Sequence, residues 1–283
     1  MADHTHEVVA DVLLEHTVSD WRDRQSGRLV FETISSAVLG GERTLSVWLP
    51  HGHHHGGEKY PLIVAGDGAN IFDPQTSFSG VDLALDEWVR LLSAEGTLPP
   101  SVIAAVHHPE GETAWGQSER DMELSPERRG ACYAQFVVTE LLPFLEARFH
   151  LQQSPESRTL VGVSLGALNA FFTAIHHPGV FGRFACLSTS FEDLSESLPH
   201  ETGELLALSR MPALPANTRM FFDFGDNGLD ECYEPYHEEL SRLLQAKGWQ
   251  ENREFTIRRI SGGMHHERSW RQRLGDALRF LAQ

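Results

Sequence analysis

The stretch Thr159-Leu160-Val161-Gly162-Val163-Ser164-Leu165-Gly166-Ala167-Leu168-Asn169-Ala170-Phe171-Phe172 decides the reading of this chain. A short apolar run, a Gly-x-Ser-x-Gly pentapeptide and a second apolar run read as strand, sharp turn and helix, with Ser164 at the apex. Glycines two residues to either side remove the Cβ atoms that would block so tight a turn. Chance alone places the pentapeptide in roughly one chain in ten of this length, so its meaning depends on what surrounds it.

Working outward, apolar runs and helical patterns alternate. Arg28–Ser36 and Thr44–Leu49 alternate as two strands around a turn at Leu39-Gly40-Gly41-Glu42. Pro61–Ala65 is a continuous apolar run, as expected of a strand buried on both faces. Further strands are predicted at Ser101–Val106, Phe184–Ser188, Arg219–Phe224 and Glu254–Ile260, and helices over Leu83–Glu95, Ala131–Arg148, Pro235–Lys247 and Ser269–Leu281. In Ala131–Arg148, Phe136, Val137, Leu141, Leu142 and Leu145 recur at helical spacing. His176-His177 before Pro178-Gly179 reads as a helix C-terminus. Pro109–Pro126 reads as a long polar loop. The expected architecture is α/β: a mostly parallel central sheet with helices on both faces and an antiparallel N-terminal edge. One domain over residues 1–283 is expected, with residues 1–25 as an N-terminal extension and the polar, proline-bearing stretch 192–216 as an insertion over the active site.

Composition narrows the function classes. The 283 residues carry 23 basic and 40 acidic side chains, a net charge of −17, which repels nucleic acid and anionic membrane surfaces. No stretch approaches the roughly 18 apolar residues of a membrane span, and Met1–Glu7 lacks a basic start followed by an apolar core, so a cytoplasmic location is expected. Cys132, Cys186 and Cys232 are odd in number and widely spaced, which suggests neither a disulfide framework nor a zinc site. The sixteen histidines cluster at His51 and His53-His54-His55, among other places; imidazoles at that density can bind transition metals, but no acidic or cysteine partner stands at fixed spacing, so they read as solvated loop residues. No metal and no cofactor are expected.

A serine hydroxyl is a poor nucleophile until a base takes its proton, and histidine titrates where such a base must. A carboxylate then holds the imidazole in the useful tautomer. Chain order Ser, Asp or Glu, His places the base after the last strand. There the sequence reads Ser261-Gly262-Gly263-Met264-His265-His266-Glu267, with His265 the candidate base and His266 its alternative. The acid belongs after Arg219–Phe224, where Gly225-Asp226-Asn227-Gly228-Leu229-Asp230-Glu231 offers Asp230, Asp226 and Glu231. Asp230 is far enough past the strand to fold back; Asp226 is the nearer alternative. Two N–H donors must hold the oxyanion of acyl transfer: the amide of Leu165, and one from Gly66-Asp67-Gly68-Ala69, for which Ala69 is the candidate.

Four segments together resemble the esterase branch of the α/β-hydrolases, which includes enterochelin esterases, esterase D and bacterial feruloyl esterases. Tyr60–Asp73 is similar to an apolar strand ending in Asp-Gly-x-Asn-x-Phe. Arg120–Pro126 is similar to Arg-x-x-Glu-Leu-x-Pro, and Gly162–Gly166 to the elbow itself. Gly263–Leu274 resembles Gly-x-His-Asn-Glu-x-x-Trp-x-x-Arg-Leu, which assigns the base to His265 and sets His266 where the family usually has Asn. Gly66 stands where Leu is usual. The resemblance spans most of residues 28–281 and implies an α/β-hydrolase fold and hydrolysis of a carboxylic ester or thioester through an acyl-enzyme on Ser164. It allows siderophore, formyl thioester or feruloyl substrates and selects none. Acyl transfer within the same superfamily and a non-catalytic, histidine-rich metal binder are the alternatives. Candidate substrate-binding residues are Phe72, Trp115, Arg120, Phe191 and Trp270: aromatic rings suit an aryl ester and Arg120 an acidic group. A small-molecule ester is the expected partner; the oligomeric state, a homodimer among the options, is left open.

Overall fold

In the computed structural model, residues 27–53, 57–114, 116–191, 203–211 and 214–283 are described. Its elements, in chain order, are β1 (Gly27–Ser36), β2 (Gly41–Pro50), β3 (Leu62–Ala65), α1 (Leu85–Ala94), β4 (Val102–Val106), α2 (Glu119–Leu124), α3 (Gly130–Phe136), α4 (Leu142–Arg148), β5 (Arg158–Val163), α5 (Leu165–His176), β6 (Arg183–Leu187), α6 (Gly203–Arg210), β7 (Arg219–Asn227), α7 (Glu234–Ala246), β8 (Phe255–Met264) and α8 (Glu267–Leu281).

The strands form one eight-stranded sheet in the order β1-β2-β4-β3-β5-β6-β7-β8. The β1–β2 and β2–β4 pairs are antiparallel and the rest parallel, as the hairpin signal and the βα alternation predict. Successive side chains of a strand point to opposite faces. In β3, Leu62 and Val64 therefore enter one apolar core, while Ile63 and Ala65 enter another. The first core takes Phe136 of α3, Leu168 and Phe171 of α5 and Leu240 of α7. The second takes Trp88 and Val89 of α1 and Leu274 and Leu278 of α8. Helices on both faces thus explain why β3 and β4 are unbroken apolar runs.

Two local predictions need correction, and a third falls largely outside the described residues. The helix expected over Ala131–Arg148 is broken into α3, a π-helical segment (Val137–Leu141) and α4. Pro143 has no N–H to give the Thr139 carbonyl four residues earlier, and a wide turn, with the Leu142 N–H on the Val137 carbonyl, accommodates the loss. The polar loop Pro109–Pro126 contains α2, started by Ser118, whose side chain accepts from the Asp121 N–H. Within 192–216, residues 192–202, 212 and 213 lie outside the described residues. The remainder carries α6, which packs against α5 and α7 with Leu205 and Leu208 in the core and does not line the cavity beside Ser164. The N-terminal extension 1–25 and the imidazoles His54 and His55 also lie outside the described residues. Among the described residues no cluster of three or more His, Cys, Asp or Glu could hold a metal ion, and no helix is long and apolar enough to cross a membrane.

Candidate active site

Ser164 occupies the one-residue turn between β5 and α5. Its φ of 58° and ψ of −124° are unfavourable for a residue with a side chain, a strain of about 1–3 kcal/mol that its surroundings must hold. They do so through its N–H on the Leu187 carbonyl (3.0 Å) and its own carbonyl under the first amides of α5, Ala167 (3.0 Å) and Leu168 (3.1 Å). The turn is so tight that a Cβ at Gly162 would lie 2.2 Å from the Gly166 carbonyl oxygen. Gly162 is therefore required by contact.

His265 follows β8, at the same C-terminal end of the parallel strands as Ser164 after β5. Its Nε2 lies 2.8 Å from Ser164 Oγ and its Nδ1 2.6 Å from Asp230 Oδ1. The chain order expected from sequence is thereby closed in space, with Asp230 as the carboxylate on the imidazole. Asp226, the alternative, belongs to β7 and accepts the Gly262 N–H (2.6 Å). Glu231 accepts the Gly228 N–H (3.1 Å). His266 caps α8, accepting the Arg268 N–H (3.1 Å).

Asp230 is fully buried. Burial opposes its charge, but hydrogen bonds from His265, Ser188 and the Gly225 N–H outweigh it and hold the carboxyl below its usual range. Oδ2 receives the Ser188 hydroxyl (2.6 Å) and the Gly225 N–H (2.7 Å). A Cβ at Gly225 would strike the Gly263 carbonyl oxygen at 2.1 Å, so β7 and β8 approach this closely only at a glycine. Ser188 is itself saturated: its oxygen accepts from Trp270 Nε1 (2.9 Å) and from the Arg273 guanidinium while donating to Asp230. Arg273 also pairs with buried Asp223 (3.1 Å). Burial raises Asp223 to about 6 against the pull of Arg273. Sequence reasoning missed this second layer of Ser188, Asp223 and Arg273. A carboxylate inside the apolar run Met220-Phe221-Phe222-Asp223-Phe224 was the available signal, since a buried charge requires a partner.

The loop after β3 faces the serine. Asp67 heads it in a left-handed conformation (φ 54°) with its carbonyl accepting the Asn70 N–H (2.7 Å). Both oxygens of its carboxylate are held by one edge of the Arg120 guanidinium, through Nε and, at 2.7 Å, an Nη. Burial opposes the charged carboxylate, and Arg120 overcomes it, keeping Asp67 below its ordinary range. His108 lies behind, its Nδ1 2.8 Å from Glu123, which is paired in turn with Arg43. These linked side chains fix the loop carrying Ala69. The amide of Leu165 opens α5, where the first N–H groups have no intrahelical acceptor.

A cavity of about 590 Å³ opens over Ser164 and His265, lined among others by Ala69, Phe78, Arg120, Glu267 and Trp270. Two of the sequence candidates lie elsewhere. Phe191 is buried in the first core, edge-on to Phe171 (5.6 Å between centroids), and Phe72 is buried in the second. Each follows a strand end and is apolar, so packing beneath the sheet claims it before substrate can. Trp115 lies outside the described residues. Trp270 lines the cavity with its ring perpendicular to His265 (4.9 Å), its N–H committed to Ser188. Arg120 lines it too, but its charge is already met by Asp67 and Asp121.

A sheet of this strand order, with a serine on the turn after β5 and histidine after the last strand, defines the α/β-hydrolase class. Residues 36–281 match the family described as "Putative esterase", and the chain belongs to that family of ester hydrolases. It is similar to YbbA of Bacillus subtilis, 22% identical over 252 residues that cover 85% of this chain and 93% of that protein. Among solved structures, it resembles a ferulic acid esterase (TM-score 0.67, 18% identity, 90% of this chain and 97% of that one). It also resembles the enterobactin esterase of Shigella flexneri (TM-score 0.70, 20% identity, 90% of this chain). The chain spans little more than half of that enzyme, 58%.

Proposed function

We propose that this protein is a serine esterase that cleaves carboxylic esters, and by the same chemistry thioesters, through an acyl-enzyme on Ser164. The observation that carries the reading is the unbroken chain Ser164 Oγ–His265 Nε2 (2.8 Å) and His265 Nδ1–Asp230 Oδ1 (2.6 Å). Asp230 accepts from Nδ1–H and so leaves Nε2 free to accept the serine proton. Ser164 Oγ attacks the ester carbonyl. The oxyanion is received by the amides of Leu165 and Ala69, donors that need no reorganisation because α5 and the Asp67–Arg120 pair already fix them. His265 then gives its proton to the leaving alcohol; it next takes a proton from water as the water oxygen bonds to the acyl carbon, and the Ser164 Oγ–acyl bond breaks as His265 returns that proton to Oγ, releasing the acid.

Burial of Asp230 supports this assignment over Asp226: a charge with no access to water keeps the imidazole in one tautomer and stabilises its cation. The test is hydrolysis of 4-nitrophenyl butyrate by wild type and Ser164→Ala. Loss of all but background turnover in a folded variant supports the reading; retention of wild-type turnover overturns it.

A further inference from the structure

The charge of the cavity points to the kind of ester it takes, given the proposed reaction at Ser164. Its formally charged lining residues are Asp67, Arg120, Asp121 and Glu267. Arg120 is the one cation among them, and it is consumed by Asp67 through two donors and by Asp121 through a third. Among the described residues three carboxylates thus face one cation; Asp121 is 45% exposed to water, which leaves Glu267 as the sheltered carboxylate of the lining with no Lys or Arg paired to it. Its side chain is 11% exposed. His266 stands beside it, its Nδ1 3.9 Å from the carboxylate and accepting the Arg268 N–H. Among the described residues the Glu267 carboxylate receives no hydrogen bond, although it is nine-tenths buried and lines the cavity. The N-terminus of α8 favours its charge, and with no protein donor upon it the carboxylate stays open to a cation brought into the cavity.

The position of Glu267 says which part of a substrate would meet it. The leaving oxygen must lie within reach of His265 Nε2, which protonates it. Glu267 stands two residues after that histidine, on the first turn of α8, while the oxyanion loop bearing Ala69 approaches from β3. We infer that Glu267 is a specificity-determining residue for the leaving alcohol, selecting a cationic alcohol portion over a neutral one and rejecting an anionic one.

The test uses three butyrate esters of similar bulk, those of choline, of 3,3-dimethylbutanol and of isethionate, with wild type and Glu267→Gln. In wild type kcat/KM should fall from cation to neutral to anion, by about tenfold at each step, a modest share of the coulombic energy of two close charges near a protein surface. In Glu267→Gln the cation-to-neutral ratio should collapse to near one. A flat or inverted series in wild type, or an unchanged ratio in the variant, overturns the inference while leaving the serine mechanism intact. Binding of the three free alcohols, followed by saturation-transfer NMR, reads the same preference without turnover: equal affinities for choline and isethionate also overturn it. Failure of Ser164→Ala to lose activity, by contrast, would strike the mechanism and not the charge preference.

Discussion

The Ser188 hydroxyl donates to Asp230 Oδ2 at 2.6 Å, on the side of the carboxylate away from His265. One oxygen of Asp230 serves the imidazole and the other is held by Ser188 and the Gly225 amide. Removing the hydroxyl strands the Trp270 and Arg273 donors as well. Ser188→Ala should therefore lose about 1–3 kcal/mol of stability and lower kcat, with KM changed less, because the imidazole is aimed less well. Urea unfolding beside steady-state kinetics checks both; a variant with normal kcat would show that the second oxygen needs no anchor.

The same geometry separates the two aspartates that chain order alone left open. Asp230→Asn should cost on the order of 10⁴ in kcat, since an amide presents the wrong group to Nδ1. Asp226→Asn touches the Gly262 N–H and an exposed Arg259 at 3.9 Å, neither of which bears on His265, and should stay within a few-fold of wild type. Comparable losses in both variants would contradict the assignment.

Arg120 invites a different experiment, because it lines the cavity yet serves Asp67. In Arg120→Ala the Asp67 carboxylate loses its bidentate partner, and breaking a buried pair leaves an uncompensated charge. The oxyanion loop should shift and kcat should fall by about 10²–10³, equally for neutral and anionic esters. A loss confined to anionic esters would instead make Arg120 a substrate ligand.

His237 is buried beside Phe224 (4.7 Å between rings) with Nδ1 against the Tyr233 carbonyl (2.9 Å). Burial lowers its pKa from 6.5 to about 4. The folded protein thus keeps it neutral, and its contribution to stability is complete above pH 6.5 and lost as pH falls toward 4, by about 3 kcal/mol. Asp223, raised to about 6 by burial, changes in the opposite sense, favouring the folded state as pH falls from 6 toward 4. The two nearly offset in wild type. His237→Phe removes one of them, so its stability relative to wild type should rise between pH 6.5 and 4 by about the same 3 kcal/mol. A gap that stays constant across that range, measured by urea unfolding, would contradict the neutral buried imidazole.

Much of this arrangement was legible in the sequence. Leu62–Ala65 and Val102–Val106 are apolar on both strand faces, so the buried centre of the sheet and its helices on either side could be read directly. Ser164, His265 and Asp230 sit at strand ends, where chain order and turn glycines betray them. What escaped depends on contacts between distant segments. Ser188 is one serine among many until β6, β7 and α8 bring Asp230, Asp223 and Arg273 around it. Arg120 suggested an anion site because its type is visible in sequence and its partner, 53 residues earlier, is not. Phe72 and Phe191 have the residue type of a pocket wall, but pocket and core draw on the same aromatic rings.

The central claim is that a covalent acyl group resides on Ser164. Rapid mixing with excess 4-nitrophenyl butyrate should release a burst of nitrophenolate close to one equivalent per active site, and acid quenching should leave a butyryl mass increment on the peptide carrying Ser164. Absence of that adduct, or an undiminished burst and adduct in Ser164→Ala, would contradict the account.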